Sequence, residues 1–365
     1  MTQALIQLMN AWLDAQILPL REHANGCYIV IIDQRLLPYR TEECVIDDFD
    51  KAFDAIASMQ VRGAPLIGIC AAFGLAMALQ QDASDTALIQ YSQKMKTARP
   101  TAVNLAYAVS YLYDRLILAD KSDRADLAWQ LAKELNDADR KQTIAIGLQG
   151  LKLIEEIAQK KQTVNILTHC NAGRLATAGI GTALAPMYCA KLLDIPIHVY
   201  VDETRPRNQG FLTVWELMQA KIDHTVIVDN AGGHFMQHGM VDICFVGADR
   251  VTKTGDVCNK IGTYLKALAA KDNQIPFYAA FPKATIDWQI ENGIDEIPIE
   301  LRSADEVRQV SGFDISGQLQ SINVLSSNHP VKNPGFDVTP AKFLTGYITE
   351  TGIYTPQTFI KSPLL

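Results

Sequence analysis

Residues 164–229 read VNILTHCNAGRLATAGIGTALAPMYCAKLLDIPIHVYVDETRPRNQGFLTVWELMQAKIDHTVIVD, and their pattern decides the fold class. Three short runs rich in β-branched residues, Val164–His169, Ile195–Val201 and His224–Asp229, alternate with two runs of helical composition, Ala172–Ala190 and Gly210–Ala220. The alternation continues downstream with Ile243–Gly247, a helix candidate at Asn259–Lys271, and Ile275–Ala280. Strands that are apolar along nearly their whole length are buried on both faces, and strand–helix alternation joins such strands in parallel. The expected architecture is therefore α/β, with a parallel sheet covered by helices.

Upstream, the chain reads mainly as helices. Asp47–Gln60 spaces Phe49, Phe53, Ile56 and Met59 on one helical face. Ala102–Leu118 follows Thr101, a candidate N-cap, and Asp123–Gln159 is a long Leu/Ala/Lys/Glu-rich run with a break expected near Asn136. Cys27–Asp33 reads as a strand entered through an Asn25-Gly26 turn. Gly63–Gln81 carries no charge and approaches the roughly 20 apolar residues of a membrane span. Its abundance of Ala and Gly, with Pro65 at its start, fits a closely packed core helix instead. A chain of 365 residues is long enough for two domains, expected as a mainly helical one at 1–155 and the sheet-bearing one at 156–365.

Hydrophobic residues at 48% and charged residues at 20% describe a globular chain rather than a disordered one. A net charge of −7 argues against nucleic acid as the main partner, but leaves room for a local anion site. The seven cysteines are odd in number and contain no C-x-x-C, so neither a disulfide framework nor a zinc site is indicated. Together with an N-terminus lacking the features of a secretory signal, this fits the cytoplasm.

Ligands of open parallel sheets bind beyond the carboxyl ends of the strands. The first four strands here are followed by HCNAGR, DETRPRNQG, DNAGGH and GADR. Cys170, between a strand and the expected start of a helix, is a candidate nucleophile or base; helix N–H groups at that point would favour its thiolate. A small buried thiol is the competing reading. Asp249 is an acid just past an apolar strand, suited to proton transfer. A salt bridge to Arg250 is its alternative, and Asp202 and Asp229 hold matching positions on other strands. Arg62 precedes Gly63 and Pro65 at the start of the apolar helix, a setting for phosphate, and Arg99 in ARPTAVN is similar. Arg205 and Arg207 suit an anion or a pairing with Glu203. No G-x-x-x-x-G-K-[ST] or H-E-x-x-H occurs, and Gly179-Ile180-Gly181 falls inside an expected helix, where it makes a poor dinucleotide fingerprint. His169 adjoins Cys170, but strand neighbours point to opposite faces, which argues against a papain-like pair.

These segments, with DQRLLP, VRGAPLIG, RPTAVNL, LTHCNAGRLAT, DETRPRNQG, GADRVTKTGDVCNKIGTY and NPGFDVTPAKFLTG, resemble the S-methyl-5-thioribose-1-phosphate isomerases over nearly the whole chain. That superfamily also includes ribose-1,5-bisphosphate isomerase and regulatory subunits of the translation-initiation guanine-exchange factor. The resemblance implies a helical N-terminal domain followed by a Rossmann-like domain, and a cytoplasmic homodimer acting on a small phosphorylated sugar without metal or organic cofactor. It places catalysis on Cys170 and Asp249. It places substrate contacts on Arg62, Gly63, Ala64, Arg99, Gln209, Asn259 and Lys260. Two departures stand out: DNAGGH has Ala231 and Gly232 where a larger residue and an alanine are expected, and IELRS has Leu301 where an acid is expected. A second phosphate would need a further cationic subsite, whereas a methylthio group needs an apolar one. Retention of both Cys170 and Asp249 argues against a purely regulatory subunit.

Overall fold

The computed structural model describes residues 2–24, 26–99 and 102–361. Asn25 of the expected turn and Thr101 of the expected cap lie outside the described residues. The chain opens with helix α1 (Thr2–Asp14) and a small antiparallel sheet of β1 (Leu20–Glu22), β2 (Ile29–Ile32) and β3 (Glu43–Ile46). Helices α2 (Phe49–Ala57), α3 (Ala64–Gln81), α4 (Asp85–Lys96), α5 (Val103–Leu116) and α6 (Arg124–Ala158) follow.

Helix α3 is apolar on every side because α2, α4, α5 and α6 all pack against it. Every residue from Leu66 to Leu79 is buried, so a helix apolar and long enough to cross a membrane serves here as the core. Its glycines permit the close approach: a Cβ on Gly68 would sit 2.7 Å from the Asn104 carbonyl oxygen.

Helix α6 runs unbroken for 35 residues, correcting the break expected near Asn136. Asn136, Asp137 and Asp139 are weak helix formers, but they stand among Glu134, Leu135 and Ala138 with no Pro or Gly, and packing along the helix overrides their propensity. Ala128, Leu131 and Ala132 belong to the helical core, while Ile144, Ile146, Leu151 and Ile154 belong to the core beneath the large sheet. Helix α1 also joins this second core, through Leu5, Met9 and Leu13.

The second half alternates β4 (Val164–Thr168), α7 (Ala185–Leu192), β5 (Ile197–Asp202), α8 (Gly210–Gln219), β6 (Asp223–Ile227), α9 (Ala231–Gln237) and β7 (Ile243–Val246). Then come β8 (Arg250–Thr252), β9 (Val257–Lys260), α10 (Thr263–Asp272), β10 (Phe277–Ala280) and β11 (Ile286–Asp287). The last strands are β12 (Gln309–Phe313), β13 (Leu319–Asn323), β14 (Phe336–Thr339), β15 (Gly346–Thr349) and β16 (Gly352–Tyr354). The large sheet has the order β16-β15-β10-β7-β4-β5-β6, parallel throughout except for the terminal β15–β16 pair. All five expected strands are present in it.

Two expectations for helices fail. Ala172–Ala190 is not one helix: a single 3-10 turn at Arg174–Ala176 and an irregular loop precede α7. Gly181 there has φ +85°, and a Cβ on it would sit 2.4 Å from Gly173 Cα. The stretch Asn259–Lys271 divides into the end of β9 and helix α10, because Asn259 and Lys260 pair with Asp337 and Phe336 of β14.

Candidate active site

The strand order turns at β4. From β4 the chain builds outward through β5 and β6, then returns to lay β7 on the other side of β4. The crevice beyond the carboxyl ends of such a neighbouring pair is where open α/β sheets bind ligands. Cys170 lies just past β4 and Asp249 just past β7. Both line one cleft, the kind of concave site in which small molecules bind. Arg62, Gly63, Ala64, Arg99, Gln209, Asn259 and Lys260 line the same cleft, so the nine residues to which the resemblance assigns the site meet in one place, while Asp202, Asp229, Arg205 and Arg207 do not line it.

Each arrives by a local device. Gly63, at φ +91°, ends the approach to α3, and a Cβ on it would lie 2.4 Å from Ala176 Cα; only glycine lets the start of α3 reach the cleft wall. The buried Arg62 is held by Nε donating to Gln34 Oε1 (3.1 Å) and Nη1 donating to the Asn171 carbonyl (2.8 Å), which leaves Nη2 without a partner. This explains the DQRLLP segment, since Gln34 orients Arg62 and donates to the Leu175 carbonyl at 2.7 Å. Arg99 reaches Glu300 at 3.5 Å, while its Nε and Nη1 are buried and unpartnered. Lys260 donates to the Gly335 carbonyl at 2.9 Å and rests 4.3 Å from the Phe336 ring centre. Gln209 Oε1 and Asn171 Oδ1 are also buried without partners. Unmet donors and acceptors in one wall describe a site built for a polar, anionic ligand.

Cys170 adopts φ +65°; its N–H donates to Thr204 Oγ1 (2.8 Å) and its carbonyl accepts from Thr213 Oγ1 (2.7 Å). Burial pushes its thiol up; Lys260 and Arg62 pull it back, and Asp249 adds to the rise. The expected help from a helix dipole is absent, because no α-helix begins there. Burial likewise raises the Asp249 carboxyl, against the pull of Lys260, Arg99 and Arg62. Arg250 pairs with Asp287 at 3.5 Å.

The competing acids serve the framework. Both Asp229 oxygens accept backbone N–H groups, from Thr204 and Arg205 at 2.8 Å each. Asp202 is fully buried against His169 Nδ1 (2.9 Å) and Lys266 Nζ (3.2 Å). His169, Asp202 and Asp229 have the spacing of a metal cluster, but Lys266 also donates to the Asp229 carbonyl, so an ammonium already supplies the cation. His169 Nε2 donates to the Ile261 carbonyl at 2.8 Å, which leaves neither ring nitrogen for Cys170. Arg205 is spent on the Pro206 and Val307 carbonyls and Arg207 on Glu306, not on Glu203. Of the departures, Gly232 makes room for Lys266, whose Cε a Cβ would meet at 2.8 Å, and Leu301 is exposed; neither lines the cleft. Sequence reasoning missed Gln34, Asn171, Thr213 and Glu216, whose partners are all distant along the chain.

Fold and cleft together define an α/β enzyme with a thiol and a carboxyl at the switch point of its sheet. The profile of the Initiation factor 2 subunit family matches residues 60–356. The chain is 52% identical over 337 residues to methylthioribose-1-phosphate isomerase of Brucella anthropi, covering 91% of this chain and 93% of that one. The same figures hold for the enzyme of that name from Rhizobium meliloti. Among solved structures, 5-methylthioribose 1-phosphate isomerase from Pyrococcus horikoshii OT3 superposes with TM-score 0.80 at 34% identity, covering 96% of each chain. Translation initiation factor eIF-2B, subunit delta, from A. fulgidus gives 0.78 at 34%, covering 95% of this chain and 100% of that one. The chain belongs to the Initiation factor 2 subunit family and, within it, to the methylthioribose-1-phosphate isomerases.

Proposed function

We propose that the chain converts 5-methylthioribose 1-phosphate into 5-methylthioribulose 1-phosphate, the aldose–ketose isomerisation of methionine salvage. The names of relatives 52% identical over nine-tenths of the chain support the reaction. The observation that carries it here is the meeting of Cys170 and Asp249 in one cleft with the unpartnered nitrogens of Arg62 and Arg99. Because the C1 oxygen is esterified, the sugar has no free aldehyde form, and ring opening must break the bond from C1 to the ring oxygen. Asp249, kept protonated to higher pH by its burial, is the acid that gives the ring oxygen its proton. Cys170 acts at the C1–C2 edge, where hydrogen leaves C2 and arrives at C1 while the C2 hydroxyl loses its proton to become the ketone. Arg62, Arg99 and the Gly63–Ala64 backbone at the start of α3 hold the phosphate. Gln209, Asn259 and Lys260 contact the sugar, and Met59, Ile67 and Phe336 offer the methylthio group an apolar wall.

The test is isomerisation of 5-methylthioribose 1-phosphate and of ribose 1,5-bisphosphate by wild type and Cys170→Ser. A preference for the thio sugar, lost about 100-fold or more in the variant, is the expected result. Preference for the bisphosphate overturns the substrate, and activity on neither overturns the enzyme reading. In deuterium oxide, label at C1 of the product supports an exchanging base such as Cys170; complete absence of label counts against one. The working form is expected to be a cytoplasmic homodimer without nucleic-acid or membrane partners, which sedimentation tests through the mass.

A further inference from the structure

Glu216, on α8, is fully buried and does not line the cleft, yet four donors converge on its carboxylate. Oε1 accepts from Asn171 Nδ2 (2.8 Å) and the Leu175 N–H (3.1 Å); Oε2 accepts from the Arg174 N–H (2.7 Å) and the Tyr188 hydroxyl (2.6 Å). Three of these donors belong to the loop that follows Cys170. The loop lies directly on the carboxylate: a Cβ on Gly173 would come within 2.2 Å of Oε2. One turn earlier on the same helix, Thr213 donates to the Cys170 carbonyl and accepts from Asn171 Nδ2 at 3.1 Å. The Asn171 carbonyl in turn receives Arg62 Nη1.

A carboxylate taken out of water is expensive, and apolar packing would fill the same space at lower cost. What only a carboxylate offers is two acceptor oxygens at fixed separation, able to hold several donors of a loop that has almost no regular structure of its own. We propose that Glu216 is a positioning residue for the isomerisation: by tying Asn171–Leu175 to α8, it holds Cys170 and Arg62 in fixed relation across the cleft. The inference rests on the reading of the cleft given above. Glu216 acts through Asn171, whose side chain it grips, whose carbonyl anchors Arg62 and which directly follows Cys170 in the chain.

The experiment compares two donors to the same carboxylate. Asn171→Ala removes one belonging to the catalytic loop; Tyr188→Phe removes one belonging to α7. Glu216→Gln, which turns an amide N–H₂ toward the donors, accompanies them. Each is read by kcat, by thermal midpoint, and by the pH profile of iodoacetamide alkylation at Cys170, followed by peptide mass mapping. Glu216→Gln and Asn171→Ala are expected to lower kcat roughly tenfold to 100-fold, as small misplacements of reacting groups do. They are also expected to move Cys170 alkylation to higher pH, because the thiol is no longer held where Lys260 and Arg62 favour its ionised form. Tyr188→Phe is expected to lower the thermal midpoint alone. If Asn171→Ala behaves like Tyr188→Phe, the clamp is merely structural and the proposal falls, whether or not Glu216→Gln folds. A wild type inactive on the sugar phosphate sinks the cleft reading instead, and the alkylation profiles still judge the clamp.

Discussion

Cys170 and Asp249 owe their setting to opposing influences on each group. Burial raises both, and Lys260 is the first influence drawing both down. Lys260→Met keeps the apolar contact with Phe336 and removes the charge, so both inflections of log kcat/KM against pH are expected to move to higher pH. Inflections that stay in place would show that Lys260 does not govern the pair. These two residues were legible in the sequence because each stands just past an unmistakably apolar strand, where only a few residues compete. The ranking of Asp249 over Asp202 and Asp229 was not legible, because it depends on contacts of Asp202 and Asp229 with residues 169, 204, 205 and 266 that no local pattern announces.

Among elements, the irregular stretch between β4 and α7 is held by partners on other elements. The loop at 177–181 is tied to α6, where the buried Asp139 accepts from the Ala178 N–H (2.7 Å) and Thr143 Oγ1 accepts from the Ile180 N–H (3.1 Å). Burial pushes the Asp139 carboxyl up to about 7, from an ordinary value of 3.8. Between those values the unfolded chain has lost the proton and the folded chain keeps it, so stability falls as pH rises from about 4 to 7 and is level above. Asp139→Asn keeps an acceptor for Ala178 and is expected to abolish that slope, an effect bounded by about 4 kcal/mol. Urea midpoints measured from pH 4 to 8 check it, and an unchanged slope would refute it. This dependence on α6 and α8 is also why Ala172–Ala190 reads as a helix from composition: its Ala and Leu residues suggest one, while the carboxylates that override the suggestion lie 39 and 42 residues away. The strands β4, β5, β6, β7 and β10 were readable because burial on both faces writes itself into every residue. Strand β9 was not, because β14, which pairs with it along its whole length, lies 76–82 residues on.

At the scale of the molecule, α6 belongs to two cores at once, so neither half folds around a complete set of its own elements. Leu131→Ala, at the end of α6 remote from the large sheet, is expected to cost about 2–5 kcal/mol. It should lower hydrogen-exchange protection in β4 and β7 as much as in α3, with calorimetry still showing one transition. Protection lost in α3 alone would mean that the halves unfold independently. The overall α/β architecture was legible from strand–helix alternation, but the joining of the two cores by α6 was not, since periodicity shows that a helix has an apolar face without showing what covers it. Helix α1 sharpens the point. Its Met9 touches Cys189 of α7 at 3.7 Å, across 180 residues of chain. On the ribosome, at about 5–20 residues per second, α1 therefore waits roughly ten to forty seconds for the surface that shelters Leu5, Met9 and Leu13. During that interval the nascent chain carries an apolar helix with no berth, a natural handle for a chaperone and a place where slow translation carries the greatest hazard of aggregation.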